Sequence, residues 1–284
     1  MYPVLFHIGT IPVETYYVFW FTALSLTLLW TVGRLPLYGV DDDEGRRVIS
    51  WSFMGMLVGA RAFEYIWNFP VYWNNPALIL DLNRGGLAEV GAISGAVVTA
   101  VALCWHNPKI SFERLCDAGT PPTLFTMALG RWGCFFAGCC VGVPSPFRLA
   151  VRFPYDPVGV TRHPTQLYYS FVSAAILLLL LALEKRILRR GGRGGRAEGR
   201  KQPPQHALLA PLGLILYSAM RLSIDSFRVE GDGLSLSHWT LIAAMPFEVV
   251  WLTMSWRAFH KSTSNSSTPN LSTSSSNTSN SSPS

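Results

Sequence analysis

Charge is scarce in this sequence. Of 284 residues only 14% are Asp, Glu, Lys or Arg, where a soluble domain usually carries about 25%. A chain this poor in charge does not cover a water-facing surface in the ordinary way. Paired cysteines are lacking too. There are five, and an odd number in apolar surroundings argues against a disulfide framework. No basic stretch precedes the first apolar run and no small-residue cleavage site follows it, so that run does not read as a cleavable signal peptide. An internal repeat, frequent in transporters, is absent as well.

What is present is apolar length. Hydrophobic residues make up 49% of the chain. Seven stretches, near 14–33, 48–68, 87–105, 117–137, 165–183, 206–224 and 238–257, approach the roughly 20 residues a membrane helix needs. The expected fold is all-α: a polytopic membrane protein of about seven transmembrane helices. After Lys261 the chain is almost entirely Ser, Thr, Asn and Pro. The predicted organisation is therefore a transmembrane domain over 1–260 and a disordered tail over 261–284.

The formal charge of +6 is concentrated rather than spread. Lys185, Arg186, Arg189, Arg190, Arg193, Arg196, Arg200 and Lys201 share one Gly-rich stretch between the fifth and sixth segments. Such a loop fits retention on the cytoplasmic side better than nucleic-acid binding. With that loop inside, fifteen Lys and Arg residues, Arg34 among them, fall in inside loops and five in outside loops. The N-terminus is then outside, the C-terminus inside. Three arginines remain within segments: Arg61, Arg131 and Arg221. In this orientation they and Tyr16, Glu89, His163 and His238 all fall within roughly two helical turns of the outer interface. An arginine inside a bilayer costs about 2.5–3.5 kcal/mol on insertion scales. Glu64 can pair with Arg61 at i+3 and Asp225 with Arg221 at i+4. Arg131 has no such partner in its segment. A lipid phosphate offers the two-pronged acceptor a guanidinium prefers.

Three patches stand out. The first runs Gly130-Arg131-Trp132-Gly133-Cys134-Phe135-Phe136-Ala137-Gly138-Cys139-Cys140-Val141-Gly142. Its glycines, Gly142 included, permit close approach of backbone or ligand. The second is Arg162-His163-Pro164-Thr165-Gln166-Leu167-Tyr168. The third spans Tyr217 to Arg228 and carries Arg221, Asp225 and Arg228 on one helix face. Cys134, Cys139 and Cys140 with His163 could hold zinc. Their spacing is not the usual pair of pairs, so packing thiols or an occasional labile disulfide, and no metal, are the expectation.

These patches, with Tyr16, Gly59-Ala60-Arg61, Gly85-Gly86-Leu87 and Asp117 in order before them, resemble the prolipoprotein diacylglyceryl transferase family over roughly residues 1–257. The resemblance implies a multi-pass enzyme of the bacterial inner membrane, with seven helices and its active site at the outer face. It implies transfer of the diacylglyceryl group of phosphatidylglycerol to the thiol of a lipobox cysteine in a preprotein, with glycerol-1-phosphate leaving. No cofactor is implied. By resemblance Arg131 is the signature arginine and Arg221 the arginine of the sixth helix, both holding phosphate. Tyr16 orients the headgroup, and Arg61, His163 and Gly142 join the substrate site. The chain departs from the pattern at Val90, where the family carries a histidine proposed as base. It departs again at Cys134 and Cys139, where enterobacterial members carry Asn and Glu, and at Tyr169, where the family carries Glu. With Val90 unable to take a proton, Glu89 is the expected base, with His163 or a thiolate favoured by nearby positive charge as the alternatives.

Overall fold

The computed structural model describes residues 2–79, 89–154, 156–191, 208–228 and 236–265. Its helices are α1 (Thr15–Arg34), α2 (Asp42–Trp67), the short α3 (Phe69–Asn74), α4 (Glu89–His106), α5 (Phe112–Ala137), α6 (Thr165–Gly191), α7 (Leu209–Asp225) and α8 (Leu236–Asn265). Among the described residues, seven of these helices have 17 or more residues. Each overlaps one apolar stretch of the sequence. Two, over Thr15–Tyr38 and Thr165–Ile187, are long and apolar enough to cross a membrane, and Val90–His106 is apolar but shorter. The helices overrun the apolar stretches where polar devices extend them. Asp41 caps α2 by accepting from the N–H groups of Asp43 and Glu44, and Arg46–Asp43 and Arg47–Glu44 pair on its first turns. The Gly-Gly-Leu element at 85–87 and the basic residues Arg193, Arg196, Arg200 and Lys201 lie outside the described residues, as does the tail from 266.

One element departs from the all-α expectation. A two-stranded antiparallel hairpin, β1 (Val4–Ile8) and β2 (Ile11–Glu14), precedes α1. Gly9 turns it with φ +63°, a conformation cheap for glycine. Thr15, the first residue of α1, donates from N–H and Oγ1 to the carbonyls of Pro3 (2.9 Å) and Tyr2 (2.5 Å). The hairpin is thereby tied to the head of α1.

Helices α1, α5, α6 and α7 form one packed group, with Leu35, Leu124, Tyr169, Leu180, Leu209 and Met220 in its core. Helix α2 packs chiefly on α4. There the sequence carries Gly55-x-x-x-Gly59 facing Gly91-x-x-x-Gly95. A Cβ on Gly59 would stand 2.3 Å from the Gly91 carbonyl oxygen, and one on Gly95 would stand 2.2 Å from that of Gly55. Small residues at this spacing let two backbones touch. Gly59→Val is therefore expected to cost about 1–3 kcal/mol or more through overpacking and to lower the yield of folded protein several-fold. Gly33→Val, where a Cβ meets nothing within 4 Å, serves as the control. Equal yields from the two variants would overturn this account of the α2–α4 contact.

A polar layer closes one end of the main group. Pro122 lacks an N–H, which leaves the Ala118 carbonyl without its helical donor. Arg34 fills that place, its Nε donating to Ala118 O at 2.9 Å. The same guanidinium pairs with Glu184 at 2.7 Å, and Tyr38 donates to Glu184 at 2.6 Å. Asp117 accepts from the backbone N–H groups of Leu208 (3.0 Å) and Ala210 (2.7 Å) at the start of α7, capping donors that a helix start leaves open. Arg34 is thus not the loop charge expected from its position. It is buried and neutralised by a carboxylate 150 positions away.

Candidate active site

A second polar layer lies at the opposite end of the same group, where α1 and α6 begin and α5 and α7 finish. Its centre is Tyr169, buried at 2% exposure. The Arg131 guanidinium from α5 lies over this ring at 4.5 Å from its centroid, and that of Arg221 from α7 at 5.9 Å. The electron-rich face of an aromatic ring attracts cations, so one side chain gathers both arginines. The Tyr169 hydroxyl donates to Asp225. Asp225 also accepts from Arg221 Nε at 3.0 Å and Arg228 Nη1 at 3.3 Å, and Arg221 Nη1 donates to the Tyr217 hydroxyl at 3.3 Å.

The two arginines are held differently. Arg221 has the carboxylate that its i+4 spacing foretold. Arg131 is 7% exposed, and its Nε is buried without a hydrogen-bond partner. Among the described residues its cation faces the Tyr169 ring and no carboxylate reaches it. An anion binder needs such an uncommitted guanidinium, because a buried cation without an anion carries an unrelieved desolvation cost.

The glycines of the first patch bring α5 against α1. A Cβ at Gly130 would stand 3.0 Å from the Trp20 ring, and one at Gly133 would stand 3.1 Å from the Tyr16 carbonyl. Tyr16 thereby comes within electrostatic reach of Arg131 and of Cys134, Cys139 and Cys140. Gly142 is a junction. Its N–H donates to His163 O at 3.0 Å, it bridges to Arg228, and a Cβ there would meet His163 and Phe227 at 2.7–2.8 Å. It joins three chain segments, and the close approach is one of backbones. His163 sits among Phe147, Tyr168 and Phe227, its Nδ1 3.0 Å from the Tyr168 hydroxyl. It fastens the 140–163 loop over the head of α6. Arg61 donates to Leu78 O at 2.6 Å and lies over Tyr72 at 5.7 Å, so its described partners belong to the segment after α2. Glu64 accepts from Asn68 at 2.8 Å. Glu89 is the first residue of α4, and its side chain lies outside the described residues, as does that of His238.

The three cysteines of the first patch converge. The sulfur atoms of Cys134, Cys139 and Cys140 all lie within 4.8 Å of one another, and His163 is not part of the group. Helix α5 ends at Ala137, Gly138 takes a left-handed φ of +75°, and the chain folds back over its last turn. Cys140 itself has φ +59°, a conformation uncommon for a residue with a Cβ. Side chains from α6 hold it there. Gln166 donates to Cys139 O at 2.5 Å and Thr165 to Cys140 O at 2.8 Å.

In the sequence alone Tyr169 reads as a lost glutamate. The signal that could have found it is an aromatic residue on α6 at the depth of two buried arginines. A family model described as prolipoprotein diacylglyceryl transferase matches residues 3–257. An Azospirillum brasilense protein named phosphatidylglycerol–prolipoprotein diacylglyceryl transferase is 32% identical over 208 residues, covering 69% of this chain and 75% of its own. Proteins of the same name from Bacillus cytotoxicus and Aeromonas salmonicida are 33% identical over 66% of this chain and 26% identical over 91% of it, covering 72% and 90% of their own lengths. With that match over residues 3–257, the chain belongs to the prolipoprotein diacylglyceryl transferase family.

Proposed function

We propose that this chain transfers the diacylglyceryl group of phosphatidylglycerol to the thiol of a lipobox cysteine in preproteins, releasing glycerol-1-phosphate. The observation that carries the reading is the cation of Arg131, buried over Tyr169 and without a carboxylate among the described residues. It takes the lipid phosphate, with Arg221 as the second, Asp225-anchored cation. As the bond to phosphate breaks, charge grows on the departing oxygens. Positive groups already in place stabilise that charge without reorganisation. Tyr16 lies beside this site and orients the headgroup, and Glu89 is the proposed proton acceptor. A second reading, a relative that binds anionic lipid and transfers nothing, draws on Val90 in the place of the family's histidine. One experiment separates them: purified chain, phosphatidylglycerol vesicles and a lipobox peptide, with complementation of a strain depleted of its own transferase. A thioether-linked diacylglyceryl peptide and rescued growth support the transferase. Lipid binding without either supports the second reading.

The same reading includes a membrane placement: seven spans, N-terminus outside, C-terminus inside, with the Tyr169 layer at the outer face of the inner membrane and the Arg34–Glu184 layer toward the cytoplasm. Supporting it are the asymmetry of basic residues and the two polar layers at opposite ends of one helix group. A reporter active only in the cytoplasm should be on when fused after Arg193 and off when fused after Asp156; the reverse pattern would overturn the placement. Residues 1–260 are proposed as the catalytic domain and 261–284 as a tail, dispensable from residue 266, beyond the end of α8. Truncation after Asn265, which keeps α8 whole, should leave abundance and transfer unchanged, and a large loss of transfer would assign the tail a docking role.

A further inference from the structure

We propose that Cys134, Cys139 and Cys140 bind one zinc ion whose fourth position receives the lipobox thiol as a thiolate. The inference rests on the transferase reading above and supplies what Val90 removes from it, a means of activating the incoming sulfur.

Geometry and chemistry both point to a metal. Three sulfurs each about 2.3 Å from one zinc stand about 3.8 Å apart. The observed group, with every sulfur within 4.8 Å of the others, needs about 1 Å of closure at most. Cys134 is buried and Cys139 and Cys140 are less covered, so the group is anchored in protein on one side and reachable on the other. The loop that forms it is held on purpose. Cys140 keeps a left-handed φ while Thr165 and Gln166 bind the two carbonyls of the vicinal pair. Strained backbone of this kind persists where surrounding structure enforces it, and it clusters at working sites. Thiolate ligands select soft or borderline metals, zinc among them. Three protein ligands leave the open position that distinguishes a reactive zinc site from a closed structural one.

The step balances. A thiol that coordinates zinc gives up its proton, which passes to solvent water. The zinc-held sulfur uses a lone pair to form a bond to the glyceryl carbon of the lipid. The bond from that carbon to the phosphate oxygen breaks, and its electron pair leaves with glycerol-1-phosphate. The thioether product is neutral, a weaker ligand than thiolate, and departs. Zinc with four thiolates carries a charge of −2, which Arg131 and Arg228, both within electrostatic reach of Cys140, partly offset. Arg131 thus borders both the phosphate and the nucleophile.

Full-length protein purified in detergent tests this directly. Zinc analysis should find one equivalent per chain, with Cys139→Ser and Cys140→Ser falling at least tenfold and Cys104→Ser retaining it. Cobalt substituted for zinc should show thiolate charge-transfer and tetrahedral d–d bands, and a lipobox peptide should shift the d–d bands while its Cys→Ser version does not. Absence of metal from wild-type protein with all three thiols reduced would overturn the proposal. So would cobalt bands indifferent to the thiol peptide, or undiminished transfer after metal removal is verified. Those results leave the transferase reading standing. Conversely, a zinc-loaded chain that binds the peptide thiol yet transfers nothing would refute the transferase reading and leave the metal site in place.

Discussion

Replacing Arg131 by lysine is expected to lower diacylglyceryl transfer about 10²–10³-fold, the usual loss when one preorganised donor to a developing oxyanion is removed. Lysine keeps the charge. It loses the planar fork that engages two phosphate oxygens at once and the flat cation that rests on Tyr169 at 4.5 Å. Arg131→Met should do at least as much harm. Abundance in the membrane should fall little for either variant, because no carboxylate among the described residues is stranded when the guanidinium goes. Arg221→Lys should behave differently. Asp225 still finds a cation at i+4, and Arg228 remains 3.3 Å from that carboxylate, so the loss in transfer should be smaller than for Arg131→Lys. Transfer is read on a lipobox peptide and normalised to folded protein. Near-normal rates from both lysine variants would sink the phosphate clamp, even with a working transferase. A fall in folded protein that accounts for the whole loss would make Arg131 structural.

The parts legible in the sequence were those written in local pattern. Each of the seven apolar stretches overlaps a helix, because a long apolar run satisfies its backbone groups most readily within itself. The Arg221–Asp225 pair followed from i+4 spacing alone. The parts missed depend on where a chain turns and what lies across from it. The three cysteines read as packing thiols because their spacing is not the usual pair of pairs, and on a continuing helix Cys139 and Cys140 would point about 140° and 240° away from Cys134, from 3.6 residues per turn. The left-handed Gly138 ends the helix and folds the pair back, which brings the three together. Tyr169 read as a missing carboxylate because its partners lie on α5 and α7. The facing glycines of α2 and α4 were each visible as a four-residue repeat, yet only their opposition gives the repeat meaning. The N-terminal hairpin was lost beside the stronger helical signal that begins at Thr15.

Glu184→Leu is expected to destabilise the protein by about 3–5 kcal/mol, the range for removing one partner of a buried ion pair. Arg34 and Glu184 are both nearly shielded, with side chains 6% and 8% exposed. Without Glu184 the guanidinium keeps, among the described residues, the Ala118 carbonyl, the weaker Tyr38 contact at 3.4 Å and the faces of the Trp30 and Tyr38 rings. A cation buried with so little compensation cannot be tolerated cheaply, and Tyr38 loses its acceptor as well. The Arg34→Met, Glu184→Leu double variant should recover most of the stability, since an apolar pair of similar size carries no desolvation cost and such replacements are often neutral or better. It should not recover all of it, because the Ala118 carbonyl, deprived of its helical donor by Pro122, would then be left without Arg34 Nε. That residue of cost belongs to the proline, and Pro122→Ala added to the double variant should reduce it by restoring the N–H. The measurement is thermal unfolding in detergent across the four proteins of the cycle, together with the proline variant. Additive losses from the two single changes would show that the pair is not coupled. Full recovery in the double variant would show that Arg34 contributes nothing at the break in α5.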